Sequence, residues 1–158
     1  MRKIFAKYLL EKMQNNSNIF LLTGDLGYGL FDEIRASFPH QFYNFNSSEL
    51  TMVTAACGMA KENKNPFVYS ITPFLLWRPF EAIRNYIDHE STPVKLIGGG
   101  RGKDYGYLGF SHWADDDLLF MKNFENIKSF KPDSETDLIN VLDYSLSANH
   151  GIYINLIK

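Results

Sequence analysis

Apolar positions recur along the chain in two rhythms, one helical and one continuous. Ile4, Phe5, Tyr8, Leu9 and Met13 make a helical stripe over Arg2 to Gln14, and the polar run Asn15-Asn16-Ser17-Asn18 stops it. Ile19-Phe20-Leu21-Leu22 is a short, wholly apolar run that suits a strand buried on both faces. The alternation then repeats. It predicts a helix over Leu30 to Ser37 ended by Pro39, a strand over Gln41 to Phe45 and a helix from Glu49 to Asn63. A strand over Pro66 to Ile71 and a long aromatic-rich helix over Phe74 to Asp88 follow. Thr92-Pro93 introduces a strand over Val94 to Gly98, and a loop with six glycines runs from Gly98 to Gly109. The pattern closes with a helix from Asp115 to Lys122, a strand over Ile127 to Phe130, a helix over Thr136 to Ala148 and a strand over Ile152 to Ile157.

Apolar strands separated by amphipathic helices imply a parallel sheet covered on both faces. The expected fold is a three-layer α/β/α sandwich around a mainly parallel six-stranded sheet, with residues 1–158 forming one complete domain. In such sheets ligands sit outside the carboxyl ends of the strands. The polar loops 23–29, 46–48, 71–73 and 98–113 fall at those ends, so function is expected there.

Composition narrows the class. A formal net charge of -2 lacks the excess of Lys and Arg that a phosphate-tracking surface needs, which argues against nucleic acid or anionic membrane as partner. No apolar run reaches the roughly 18 residues of a membrane span, and Met1-Arg2-Lys3-Ile4-Phe5 opens no signal-peptide core. A cytoplasmic location is expected. The single cysteine, Cys57, excludes an internal disulfide, and no zinc-ligand cluster is visible. A core can absorb many of the 13 Phe and 9 Tyr, and a flat heterocyclic ligand or a large subunit interface would also recruit them.

From spacing alone, each candidate site residue has a plain reading beside a chemical one. Glu49 reads first as a helix-start carboxylate favoured by the macrodipole. Phe74, Trp77 and Phe80 recur every three residues along one side of a helix, as core or as a stacking surface. His112, in a glycine-rich loop, either caps local backbone or presents an imidazole to substrate oxygens near neutral pH. Asp116 and Asp117 read as helix-start charges, and His40, His89 and His150 as surface residues.

Four segments, in order and spacing, carry a resemblance across nearly the whole chain. They are Leu21-Leu22-Thr23-Gly24-Asp25-Leu26-Gly27, Phe45-Asn46-Ser47-Ser48-Glu49-Leu50-Thr51-Met52-Val53 with the small-residue helix Ala55 to Ala60, Pro73-Phe74-Leu75-Leu76-Trp77-Arg78-Pro79-Phe80-Glu81-Ala82-Ile83-Arg84, and Gly109-Phe110-Ser111-His112-Trp113 with Asp116-Asp117. Together they resemble the pyrimidine-binding domain of transketolases and deoxyxylulose-phosphate synthases, which are thiamine-diphosphate enzymes.

The resemblance implies a chemistry. The cofactor's aminopyrimidine acts as an internal base toward its thiazolium carbon, and a carboxylate bonded to the far ring nitrogen promotes that tautomer. Glu49 matches that carboxylate. Phe74 and Trp77 match ring-contacting aromatics, with Phe80 beside them, and His112 matches a residue that faces the substrate carbonyl. Asp25 is read as a loop carboxylate near the cofactor or subunit contact. Gly24-Asp25-Leu26-Gly27, with Asn44 and Asn46, faintly imitates a magnesium- and diphosphate-binding signature, but Leu26 breaks it and that signature belongs to the family's other cofactor domain.

The diphosphate-binding and carboxy-terminal domains of full transketolases are absent from this sequence. The resemblance therefore implies a heteromer, most simply a heterotetramer, in which a separate diphosphate-binding subunit holds Mg2+ and the shared thiamine diphosphate. In isolation the chain is expected to form a homodimer. Two-carbon ketol transfer or carboligation on small sugars is the leading function. A two-chain 2-oxoacid decarboxylase, or a non-catalytic binding or regulatory module on the same fold, are the alternatives.

Overall fold

In the computed structural model, which describes residues 1–158, helix α1 (Arg2–Met13) leads into strand β1 (Ile19–Thr23) and α2 (Asp32–Ser37) into β2 (Phe42–Asn44). The chain continues through α3 (Glu49–Lys61), β3 (Asn65–Ile71), the short helices α4 (Thr72–Trp77) and α5 (Phe80–Ala82), and a π-helical segment Ile83–His89. It then forms β4 (Lys95–Gly99), a long loop, α6 (Asp117–Met121), β5 (Ile127–Phe130), α7 (Glu135–Ser147) and β6 (Gly151–Leu156). The six strands pair in one sheet in the order β2-β1-β3-β4-β6-β5, every pair parallel. The α/β/α sandwich expected from the hydrophobic pattern is the fold observed.

Strand side chains alternate between two cores, as a period of two requires. Leu21, Phe67, Ile97, Ile152 and Ile154 pack with Phe5, Leu9, Ile34, Leu138 and Leu142 from α1, α2 and α7. Leu22, Val68, Leu96 and Tyr153 point the other way, into a core with Met52, Val53, Leu75, Leu76, Ile83 and Met121 from α3, α4, the π-helical segment and α6. The same alternation carries Ser70 and Asn155 to this second face at the carboxyl ends of β3 and β6. The candidate site residues Glu49 and Phe74 belong to helices packed on that face.

The strand order reverses at two places. Connections from β1 run first to the edge strand β2 and then back to β3, so one switch point lies between β1 and β3. A second lies between β4 and β6, because β5 is at the far edge. Such points leave crevices at the carboxyl edge.

One expected element is corrected. The long helix over Phe74 to Asp88 is not continuous: α4 ends at Trp77, Arg78 and Pro79 separate it from α5, and the remainder is wound as a π-helix. Pro79 has no amide hydrogen to continue the helical ladder. The loop after β4 is also more ordered than its glycines suggest. It holds 3-10 turns at Gly106–Leu108 and Phe110–His112, and an antiparallel bridge pairs Gly102 with Ala114. Within β4, Gly98 lets Thr72 and Tyr153 pack closely on the strand, since a Cβ there would lie 2.6 Å from the Thr72 hydroxyl and 3.1 Å from that of Tyr153.

Candidate functional site

The turn before α3 sets the position of Glu49. Asn44 Oδ1 accepts from the Asn46 amide at 2.7 Å, and Asn46 adopts the left-handed conformation (φ 53°) that Asn tolerates. The Asn46 carbonyl accepts from the Asp25 amide at 2.9 Å, which ties the turn to the end of β1. Two residues on from Ser47, Glu49 opens α3 with only 3% of its surface exposed. Its carboxylate thus lies at the β1/β3 switch point, where the Ser70 hydroxyl approaches Oε1 at 3.5 Å.

Arg78 closes over this carboxylate. Its Nη1 donates to Oε1 and Oε2, both at 2.9 Å. The guanidinium lies 3.8 Å from the centre of the Phe74 ring, a close cation–π contact. The opposite neighbour of Phe74 is His112, whose ring centre is 4.9 Å away in an edge-on arrangement. Glu49, Arg78, Phe74 and His112 therefore form one continuous row across the carboxyl edge.

A cleft of about 280 Å3 runs beside this row, lined by Phe74, Trp77, Arg78, Phe110, Trp113 and Asp116 together with Pro73 and Ser111. Its walls are aromatic and its polar groups few, as in small-molecule sites. Glu49 itself does not line it, because Arg78 stands between. The expected aromatics divide. Phe74 joins His112, Trp77 lines the cleft and packs on Phe120 at 5.4 Å, and Phe80 turns away onto Phe120 and Phe124. Asp25 is exposed, and its side chain accepts from the Tyr28 hydroxyl. A larger groove of about 700 Å3, between the start of α1 and Gly27 to Leu30, holds none of the expected groups.

Asp117 opens α6 as the helix-start charge expected, but it is buried there, only 4% exposed. One carboxylate oxygen accepts from the Tyr153 hydroxyl at 2.5 Å and from the Asn155 amide, and the other from the Leu118 amide at 2.7 Å. Burial, then the neighbouring Asp117 charge, pushes the Tyr153 phenol well above its ordinary value. Asn155 Oδ1 in turn accepts from Arg101 Nε at 2.7 Å, and Arg101 also donates to Asp133 at 2.6 Å. Both ends of the loop that carries His112 are thus fastened to β6 at the second switch point. The sequence pattern gave no role to Arg78, Arg101 or Asn155, and no sign that Asp117 is buried. The one signal was a lone charge inside an apolar stretch: Arg78 follows Phe74-Leu75-Leu76-Trp77 directly.

A doubly covered parallel sheet, with polar loops and a buried carboxylate at one switch point, defines an open α/β domain with its ligand site at the carboxyl edge. The model of one such family, "Transketolase, pyrimidine binding domain", matches residues 1–156, and the chain belongs to that family. It is 32% identical over 119 residues to one subunit of an apulose-4-phosphate transketolase of Actinobacillus succinogenes, covering 75% of this chain and 38% of that one. It is 27% identical over 157 residues to a putative transketolase C-terminal section of Methanocaldococcus jannaschii, covering 99% and 50%. Among solved structures, a split-gene transketolase in the form of an inactive β4 tetramer superposes with TM-score 0.84 at 28% identity, over 98% of this chain and 50% of that one. The transketolase of Campylobacter jejuni matches in fold, with TM-score 0.89 at 18% identity over 99% of this chain and 25% of that one. The chain spans half or less of the length of these relatives. No helix is long and apolar enough to cross a membrane.

Proposed function

We propose that the chain is the pyrimidine-binding subunit of a heteromeric, thiamine-diphosphate-dependent transketolase-like enzyme, active with a separate subunit that holds the diphosphate and Mg2+. The observation that carries this reading is the buried carboxylate of Glu49 at the head of α3, one side chain away from an aromatic cleft at the carboxyl edge. The residues present fit such a ligand. The cleft, at about 280 Å3, suits a single heterocycle, and falls just below the roughly 300–1,000 Å3 of small-molecule sites, as half of a shared site should. A division between two chains has support among the relatives, one of which is a transketolase subunit and another the product of a split gene.

Bound thiamine diphosphate supplies a nucleophilic carbon that adds to a ketose or 2-oxoacid carbonyl. In this reading Glu49 holds a proton at the ring nitrogen, in a site where few waters compete for it. Phe74 and Trp77 offer faces for ring contact, and Phe80 supports them through Phe120. His112, edge-on to the Phe74 ring and joined to the Ser111 hydroxyl at 3.0 Å, bonds a substrate oxygen in this reading. Asp25 marks the neighbouring loop as part of the subunit contact.

Co-expression with a chain carrying a diphosphate-binding domain, then assay of ketose and 2-oxoacid donors, tests the proposal. Glu49→Ala is expected to lower turnover at least about a hundredfold while the complex still assembles. Unchanged turnover would refute the role of Glu49. Activity confined to 2-oxoacids with release of carbon dioxide would replace transfer by decarboxylation.

A further inference from the structure

We infer that Arg78 is a gate on Glu49: it occupies the carboxylate in the free subunit and must swing aside before a cofactor ring can reach it. This rests on the reading of Glu49 as the cofactor-contacting acid. Three observations carry it. Both oxygens of Glu49 are taken by Arg78 Nη1 at 2.9 Å, and the carboxylate is otherwise shut from solvent. Arg78, by contrast, has a side chain that is 45% exposed and forms part of the cleft wall. Finally, its side-chain hydrogen bonds go to Glu49 alone, and it sits in the break between α4 and α5, where no helical ladder fixes it.

The physics of the pair gives the gate its direction. A carboxylate this deeply buried is costly without a countercharge, so the free subunit favours the closed pair. A ring nitrogen approaching from the cleft needs the same oxygens, so ring and guanidinium exclude each other. Once displaced, the guanidinium rehydrates at the cleft mouth, and Glu49, taking up a proton from solvent, shares it with the ring nitrogen in place of the ion pair. Apparent affinity is then the intrinsic affinity multiplied by the fraction of open gates.

Removing the competitor should therefore tighten cofactor binding. Arg78→Met keeps an apolar arm over Phe74 without the cation. In the two-subunit complex with excess Mg2+, thiamine diphosphate should bind Arg78→Met about tenfold more tightly, the value for a wild-type open fraction of about one-tenth. Arg78→Lys, which keeps charge but not the planar guanidinium, should fall between the two. Calorimetric titration gives the constants. Fluorescence of Trp77 and Trp113, the chain's two tryptophans and both at the cleft, reports entry of the ring. In a Glu49→Gln background, Arg78→Met should change affinity less than about twofold, because the gate has lost its latch.

Equal or weaker binding by both Arg78 variants, with Glu49→Gln inactive, would overturn the gate and leave the role of Glu49 standing. Wild-type affinity and turnover in Glu49→Gln would overturn both. Tighter binding that persists unchanged in the Glu49→Gln background would also overturn the gate, since Arg78 would then act on something other than residue 49.

Discussion

At position 49 a single guanidinium keeps a carboxylate in a nearly water-free setting, and the chain's stability should register that dependence. In the isolated subunit, Arg78→Met leaves Glu49 buried without a partner and is expected to cost about 2 kcal/mol, less than a fully buried pair because Arg78 is half exposed. Adding Glu49→Gln should restore most of that loss, and urea denaturation of the single and double variants measures both. Glu49 was legible as a candidate because a carboxylate opening a small-residue helix stood in a recognisable segment. That of Arg78 was not, since its acceptor is 29 residues away in sequence and meets it only because α4 stops at Trp77. Cys57 follows the opposite rule. Buried in α3, its thiol is pushed up to about 12, chiefly by loss of solvent, so almost no thiolate exists near neutral pH. A thiol-specific disulfide reagent should leave it unmodified in native protein and react promptly in urea.

At the scale of elements, fastening and burial can be tested separately. Asp117 joins the start of α6 to Tyr153 and Asn155 of β6, whereas its neighbour Asp116 is exposed. Asp117→Ala should cost about 2–3 kcal/mol through unpaired buried partners and speed amide exchange across 101–116, while Asp116→Ala stays within about 0.5 kcal/mol. The pattern of strands and helices foretold α6 but not this link, because a side chain's partners across a sheet depend on register. Lys95, at the start of β4, is 2% exposed, with Nζ donating only to the Pro93 carbonyl at 3.0 Å. Burial lowers it from 10.5 to about 8. Between those values the unfolded chain binds the proton and the folded chain does not, so this group makes stability rise with pH from about 8 to 10.5. Below pH 8 the native state carries a buried ammonium at full cost. Lys95→Met is therefore expected to stabilise the protein by about 1–3 kcal/mol near neutral pH, with the advantage shrinking as the medium becomes alkaline; thermal melts of both proteins across that range test it.

At the scale of the whole molecule, the layered fold was legible because buried parallel strands write themselves as continuous apolar runs between amphipathic helices. What remained hidden was the use of the surplus aromatics. Many fill the two cores, but Tyr107 and Phe110 on the loop after β4 are 85% and 83% exposed, with Trp77 and Phe80 also at the surface. Rings this exposed, beside an aromatic-walled cleft, make an apolar surface that water covers poorly. The isolated chain should therefore associate with itself through the carboxyl edge, as rings from a second copy shield these. Sedimentation equilibrium should show a concentration-dependent rise in mass that changes little between low and high salt, because the driving term is apolar burial and not charge. Phe110→Glu places a charge at one of the two most exposed rings of that surface and should shift the population toward monomer by at least about tenfold in the dissociation constant, roughly 1.4 kcal/mol. Tyr144→Glu, at an exposed position late in α7 where its hydroxyl meets His150 just before β6, at the opposite edge of the sheet, serves as the control and should leave the mass distribution unchanged. Association that survives Phe110→Glu, or dissolves with salt alone, would place the contact elsewhere on the molecule.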